Sequence, residues 1–294
     1  MNPQVGLYSL VLLMVLCWSG NYVAAKIVFR EIPSMLVKAM RTVVSGVLML
    51  AIFATRKNKP IQNWTLSEFG LLVGLGFVGI TMNQLFWTLG VARTTVVHSS
   101  MIMATTPVWV LFMAGVMGLE RVTFPKIGGM AIALTGVAML QIFKSATAMI
   151  GPTLLGDFFV LLCALLFAAM TAFGKRHKPQ SGGIAVNAVG YVGGALVFLP
   201  VLYLAGQGFD YAKVSAAAWL GVVYMGAISS VTGYLIYYYA LARMSASRVA
   251  AFQYLQPVFA TLMAVVILGE ELTGAAMASG AVILAGVYVT ERFG

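Results

Sequence analysis

The sequence predicts an all-α integral membrane protein of ten transmembrane helices arranged as two inverted five-helix repeats. Three observations predict it: an apolar composition, ten long apolar runs joined by short connections, and a self-similarity at an offset of about half the chain. Of 294 residues, 61% are hydrophobic and 9% charged, with mean hydropathy +0.95. A soluble domain carries about 45–50% apolar and about 25% charged residues, so this chain cannot cover itself with a polar surface. A spanning helix needs about 20 apolar residues, so ten would use roughly 200 positions and leave no room for a soluble domain.

The runs fall at 7–29, 35–54, 67–90, 96–117, 124–142, 153–174, 184–204, 217–240, 247–268 and 275–291, bounded by charge clusters and Pro or Gly breaks. The first follows Met1-Asn2-Pro3-Gln4, which has no basic residue, and outlasts a signal-peptide core, so it reads as a retained span. The third opens on Thr65-Leu66-Ser67-Glu68, a capping box that satisfies free amides at a helix start. Glu120 closes the fourth and Glu270 the ninth, each just before a threonine, Thr123 or Thr273, that reads as the cap of the next helix. Asp157 opens the sixth as a cap or a proton carrier. Continuous apolarity without alternation points to helices rather than barrel strands.

The duplication is direct. An offset of 150 places Arg93 on Arg243, Pro107 on Pro257, Glu120 on Glu270, Leu134 on Leu284 and Gly136 on Gly286, and an offset of 149 places Trp18 on Phe167 and Lys26 on Lys175. The repeats are residues 1–145 and 146–294. Because five spans is an odd number, the second repeat enters the membrane inverted, the plan of alternating-access transporters. With the amino terminus inside, eleven of the 18 Lys and Arg face inward: Arg56, Lys57, Lys59, Arg121, Lys126, Lys175, Arg176, Lys178, Arg243, Arg248 and Arg292. The net charge of +10 is therefore read as a topology signal in an inner membrane, with both termini cytoplasmic, rather than as affinity for nucleic acid. Four of the remaining basic residues, Lys26, Arg30, Lys38 and Arg41, crowd the first connection, where they snorkel or face a cavity.

Several motifs are decoys. Gly74-Leu75-Gly76-Phe77-Val78-Gly79 fits the dinucleotide fingerprint but lies inside an apolar span with no preceding strand. Small residues four apart, Gly70 with Gly74 and Gly190 with Gly194, are expected to let helices approach closely. Asn63-Trp64-Thr65 is a formal glycosylation acceptor placed on the inner face. Cys17 and Cys163 read as buried inert thiols. His177 belongs to a solvated basic run, and His98 opens the fourth span as an interfacial residue or as a substrate or proton contact. Neither histidine has metal-ligand spacing, and no nucleophile or acid–base constellation is evident, so no enzyme, metal or cofactor is expected.

What remains is a set of neutral polar groups and rings at membrane depth. Asn21, Asn83, Gln84, Thr105, Thr171, Gln253 and Gln256 must face other helices or water, because a buried amide without partners is costly. Trp18, Tyr22, Trp87, Tyr234, Tyr237 and Tyr254 accompany them at helical spacing. Together with His98 they outline a hollow lined by rings and neutral polar groups, suited to a small amphipathic molecule. Pro107 and Pro257, at equivalent places in spans four and nine, are expected to kink their helices and act as hinges, freeing the carbonyls of Met103 and Gln253 for neighbours or cavity water.

The stretches Trp18-Ser19-Gly20-Asn21 with Lys26, then Pro33 and Arg41, then Leu89 through Pro107 to Gly118-Leu119-Glu120-Arg121-Val122-Thr123, echoed by Ala240 through Pro257 to Leu268-Gly269-Glu270-Glu271-Leu272-Thr273, resemble the EamA family of the drug/metabolite transporter superfamily. The resemblance covers nearly the whole chain. It implies a ten-helix bundle with a central cavity among spans 1, 3, 4, 6, 8 and 9, and members that export amino acids and related metabolites. The expectation is thus a monomeric inner-membrane exporter whose partners are a small-molecule substrate and lipid. Two rivals stand beside it. One is an anion exchanger for phosphorylated or nucleotide-linked sugars, in which repeat mates Lys26 and Lys175 meet a phosphate with Lys38 or Arg41. The other is a channel-like passive facilitator.

Overall fold

The computed structural model describes residues 3–55, 65–94, 99, 102–143, 153–177, 182–268 and 274–293, and these are helical apart from short turns. The helices are α1 (Pro3–Val28), α2 (Ser34–Ala54), α3 (Leu66–Val91), α4 (Ile102–Val116), α5 (Phe124–Phe143), α6 (Leu154–His177), α7 (Gly182–Gly206), α8 (Ala216–Leu241), α9 (Ala246–Ile267) and α10 (Gly274–Phe293). Seven of them, α1, α2, α3, α6, α7, α8 and α9, are long and apolar enough to cross a membrane, whereas α4 is a shorter apolar helix. Thr65 caps α3 as expected, its Oγ1 accepting the Glu68 amide at 3.1 Å, which is the N-cap half of the capping box. Ser215 and Ser245 cap α8 and α9 in the same way. Thr153, not Asp157, caps α6, by accepting the Gly156 amide at 3.1 Å, and Asp157 instead accepts the Thr94 hydroxyl from the end of α3.

Helix α2 packs on α7, and α5 on α10; α1 packs on α8 and α9, as α6 packs on α3 and α4. Close approach is set by glycine. A Cβ on Gly190 would stand 2.6 Å from Gly76 O, and one on Gly286 would stand 2.3 Å from Ala133 N, so backbone meets backbone at both crossings. Gly70 and Gly74 do not share this role: among the described residues a Cβ on either meets nothing within 4 Å. They line an apolar groove between α3 and α6, with Val78, Leu166, Ala169 and Phe173.

Two features lie 150 residues apart. Gly74–Met82 in α3 and Tyr224–Thr232 in α8 are both nine-residue π-helical stretches. Such widened turns are rare and gather at functional sites. Near Pro107 the helix α4 is interrupted at Thr105, and the freed Met103 carbonyl accepts the Thr106 hydroxyl at 2.6 Å. Before Pro257, α9 tightens into a 3₁₀ turn over Phe252–Leu255, and the Gln253 carbonyl accepts the Gln256 amide. Both freed carbonyls are satisfied locally rather than by a neighbouring helix, because the chain itself tightens around them.

One end of the bundle is tied together by polar contacts. Glu120, between α4 and α5, accepts the Ser247 amide at 3.1 Å, the Ser247 hydroxyl, and Lys126 Nζ at 3.1 Å. Burial opposes ionisation of Glu120, but the Ser247 and Lys126 bonds outweigh it and hold the carboxyl below its ordinary range. Lys175 donates to the carbonyls of Leu241 and Met244 at 2.8 and 2.6 Å, which satisfies the end of α8. Arg248 pairs with Glu291 at 3.6 Å. At the opposite end, Glu31 accepts the amide and hydroxyl of Ser215, both at 2.7 Å, and these bonds lower its pKa.

Candidate functional site

The bundle centre holds a ring cluster drawn from four helices. Trp18 of α1 lies 5.9 Å from Phe167 of α6, 5.5 Å from Tyr234 and 5.6 Å from Tyr237 of α8, measured between ring centroids. Tyr191 of α7 meets Tyr234 edge-on at 6.2 Å. Such tilted and edge-to-face arrangements are favoured by the ring quadrupoles. The Trp18 indole N–H donates to Ser229 O at 3.1 Å, and the Thr171 and Tyr237 hydroxyls share a hydrogen bond.

Amides border the rings. Asn83 Nδ2 donates to Cys163 O at 2.6 Å, and its Oδ1 accepts the Tyr234 hydroxyl at 3.4 Å. Gln84 Nε2 donates to the Tyr191 hydroxyl at 2.8 Å, which in turn donates to Ser230 O at 3.2 Å. The π-helical turn of α8 makes this possible, because its carbonyls are claimed from three other helices: Met225 O by Arg41, Gly226 O by Ser45, Ser229 O by Trp18 and Ser230 O by Tyr191.

Trp18, Asn83, Gln84, Thr171, Tyr234 and Tyr237 are thus brought together. Tyr22 and Trp87 form a ring pair at 6.0 Å that packs in the same cluster as Cys163, beside Asn83. Asn21, Gln253 and Tyr254 each bury a polar atom that has no hydrogen-bond partner among the described residues. Thr105 stands apart and accepts the Trp109 indole at 3.0 Å, and the Gln256 carbonyl accepts the Ser19 hydroxyl at 3.1 Å. His98 lies outside the described residues.

Four contributors lie outside the ring-and-amide list read from the sequence: Tyr191 and Ser230, and the cations Lys38 and Arg41, which the sequence offered as snorkelling or cavity-facing residues and as phosphate contacts of the rival exchanger. Both cations of α2 are buried, with relative exposures of 0% and 3%. Lys38 Nζ donates to Gln84 Oε1 at 3.3 Å and sits 5.2 Å from the Phe198 ring centroid. Arg41 Nη2 donates to Ser230 Oγ at 2.8 Å and Met225 O at 3.4 Å, while its Nε has no partner among the described residues. The available signal was their spacing, one helical turn apart on a span that is otherwise uncharged. The network therefore draws on α1, α2, α3, α6, α7 and α8, adding α2 and α7 to the spans 1, 3, 4, 6, 8 and 9 that the family resemblance implies.

One family model, described as the EamA-like transporter family, matches residues 6–142 and again 154–292. A probable terminal-alkyne amino-acid exporter of Streptantibioticus cattleyicolor is 29% identical over 74% of this chain and 71% of its own. A probable amino-acid metabolite efflux pump of Salmonella typhimurium is 25% identical over 95% of this chain and 93% of its own. A crystal structure at 16% identity aligns over 98% of both chains with a TM-score of 0.80, which establishes a common fold. With that family's pattern covering nearly all of its length, and a bundle of apolar helices closing around a polar and aromatic centre, the chain belongs to the EamA-like transporter family.

Proposed function

We propose that this protein exports small amphipathic metabolites, amino acids with apolar or aromatic side chains foremost, by alternating access through the bundle centre. The observation that carries the reading is the buried ring-and-amide cluster of Trp18, Asn83, Gln84, Tyr234 and Tyr237, contributed by three helices. Rings can bury an apolar side chain while amides meet the polar end of the same molecule. The names of two relatives, an amino-acid exporter and an amino-acid metabolite efflux pump, point the same way.

Ten spans in two inverted repeats suit this mechanism. Support comes from the paired π-helical stretches 150 residues apart, the family match over each half, and main packing contacts that recur five helices on, α1 on α8 and α9 answering to α6 on α3 and α4. Rocking of one repeat against the other would open the centre to each side in turn, with Pro107 and Pro257 as hinges. On this reading the protein sits in an inner membrane as a monomer, with both termini cytoplasmic on the basic-residue count.

The rival anion exchanger loses one of its grips, since Lys175 is engaged with the carbonyls that end α8. It keeps Lys38 and Arg41. Uptake of labelled amino acids, sugar phosphates and organic cations into proteoliposomes of the purified chain tests the choice. Saturable counterflow of an apolar amino acid supports the exporter. Exchange confined to sugar phosphates, or non-saturable flux, refutes it.

A further inference from the structure

We infer that Lys38 and Arg41 form an oxyanion subsite that takes the carboxylate of the transported metabolite, an inference that rests on the amino-acid reading above. An ammonium carries three donors and a guanidinium five. Within the described residues Lys38 spends one, on a long bond to Gln84, and Arg41 Nε is buried with no acceptor. No carboxylate is paired with either cation there. Two like charges one turn apart in a spanning helix, desolvated and joined only to neutral groups, are a poor way to hold a fold, because unpaired buried charge is destabilising. They are a good way to receive an anion.

The subsite has a defined floor. Gln84 touches Lys38 through Oε1 and Ser230 Oγ through Nε2 at 3.5 Å, and Ser230 Oγ accepts from Arg41, so the two cations are bridged by Gln84 and Ser230. Gln84 also holds the Tyr191 hydroxyl, and Tyr191 packs on Tyr234, whose ring faces Trp18. The cationic pole and the aromatic pole therefore share Tyr191 and Tyr234. A molecule with a carboxylate at one end and an apolar group at the other matches both poles at once.

The test uses the full-length protein and four probes: L-phenylalanine, 2-phenylethylamine, which lacks the carboxylate, 3-phenylpropionate, which lacks the ammonium, and phenyl phosphate. Thermal unfolding and competition for uptake are read for the parent and for Lys38→Met, Arg41→Gln and Arg41→Lys. Both carboxylates should stabilise the parent and 2-phenylethylamine should not. Lys38→Met and Arg41→Gln should weaken carboxylate binding about tenfold or more, while Arg41→Lys, which keeps charge but not the fork, should recover part of it. Without ligand, Lys38→Met and Arg41→Gln should unfold at the parent temperature or above it.

Unfolding at a lower temperature in both would assign the cations a structural role and overturn the inference, as would carboxylate affinity equal to the parent. Failure of both carboxylates to shift the parent overturns it too. Two outcomes separate this inference from the broader reading. If 3-phenylpropionate binds in a Lys38- and Arg41-dependent way but L-phenylalanine neither binds nor moves, the subsite stands and the amino-acid reading falls. If L-phenylalanine is transported equally by the parent and both neutral variants, the subsite falls and the amino-acid reading stands. Binding of phenyl phosphate alone overturns the carboxylate assignment in favour of a phosphoryl group.

Discussion

Gly190→Ala tests whether the α3–α7 crossing is as tight as its geometry. The added Cβ would stand 2.6 Å from Gly76 O, 2.7 Å from Gly76 C and 2.9 Å from Gly76 Cα. All three are backbone atoms, so no side chain can swing away. Reaching an ordinary contact of 3.4 Å requires the helices to part by about 0.8 Å at that point, the difference between 3.4 and 2.6 Å. A gap of about 0.5–1 Å forfeits a quarter to a half of each dispersion contact around it, and overpacking of this kind typically costs about 1–3 kcal/mol. Thr81 Oγ1, which donates to Gly190 O at 2.6 Å across the same crossing, would be pulled out of register as well. The internal control is Gly74→Ala, two residues before Gly76 on the same stretch, where a Cβ meets nothing within 4 Å among the described residues. That change removes a flexible residue from a helix and should be neutral or stabilising by up to about 1 kcal/mol. Thermal unfolding of the detergent-solubilised variants reads both. Equal unfolding temperatures for Gly190→Ala and Gly74→Ala would refute the close-approach argument.

Three further predictions concern the site and the ends. Trp18→Phe keeps a ring in the cluster but drops the bond to Ser229 O, so stability should fall by about 0.5–1.5 kcal/mol; Trp18→Ala should also weaken apparent substrate affinity severalfold or more, and unchanged affinity in a binding assay would remove Trp18 from the site. Pro107→Ala and Pro257→Ala restore an amide donor and should slow transport more than they weaken binding; turnover at the parent rate in both would reduce these breaks to packing. Glu120 has a lowered pKa when folded, so its contribution is present above its ordinary value near 4.5 and is lost as pH falls through the lower folded value. Glu120→Gln should cost about 1–3 kcal/mol at neutral pH and flatten the acid limb of the stability–pH curve; an acid limb identical to the parent's would show that Glu120 does not cause it.

The order of apolar runs, the start of α3 and the repeat offset were readable from the chain because each depends on local composition or periodicity. A 20-residue apolar stretch in lipid has to satisfy its backbone internally, so the helical assignment needs no knowledge of neighbours. The ring-and-amide list was readable for a similar reason: polar groups at depth require partners wherever they fall, and Trp18, Asn83, Gln84 and Tyr234 do converge. Which groups share one network is a different kind of fact. It depends on helix rotation and crossing, and these are set by contacts between residues far apart in the chain. Packing of α2 against α7 and α8 put Lys38 and Arg41, which the sequence left either snorkelling or facing a cavity, at the buried centre, and Met225 O in the π-helical turn of α8 accepts from Arg41. The same rotation left Gly70 and Gly74 at an open groove while Gly76, two residues on from Gly74, met the Gly190 backbone. Local sequence determined that polar and small residues would lie at membrane depth; only the tertiary structure decided which way each of them faced, because facing is fixed by the packing of helices that are not neighbours in sequence.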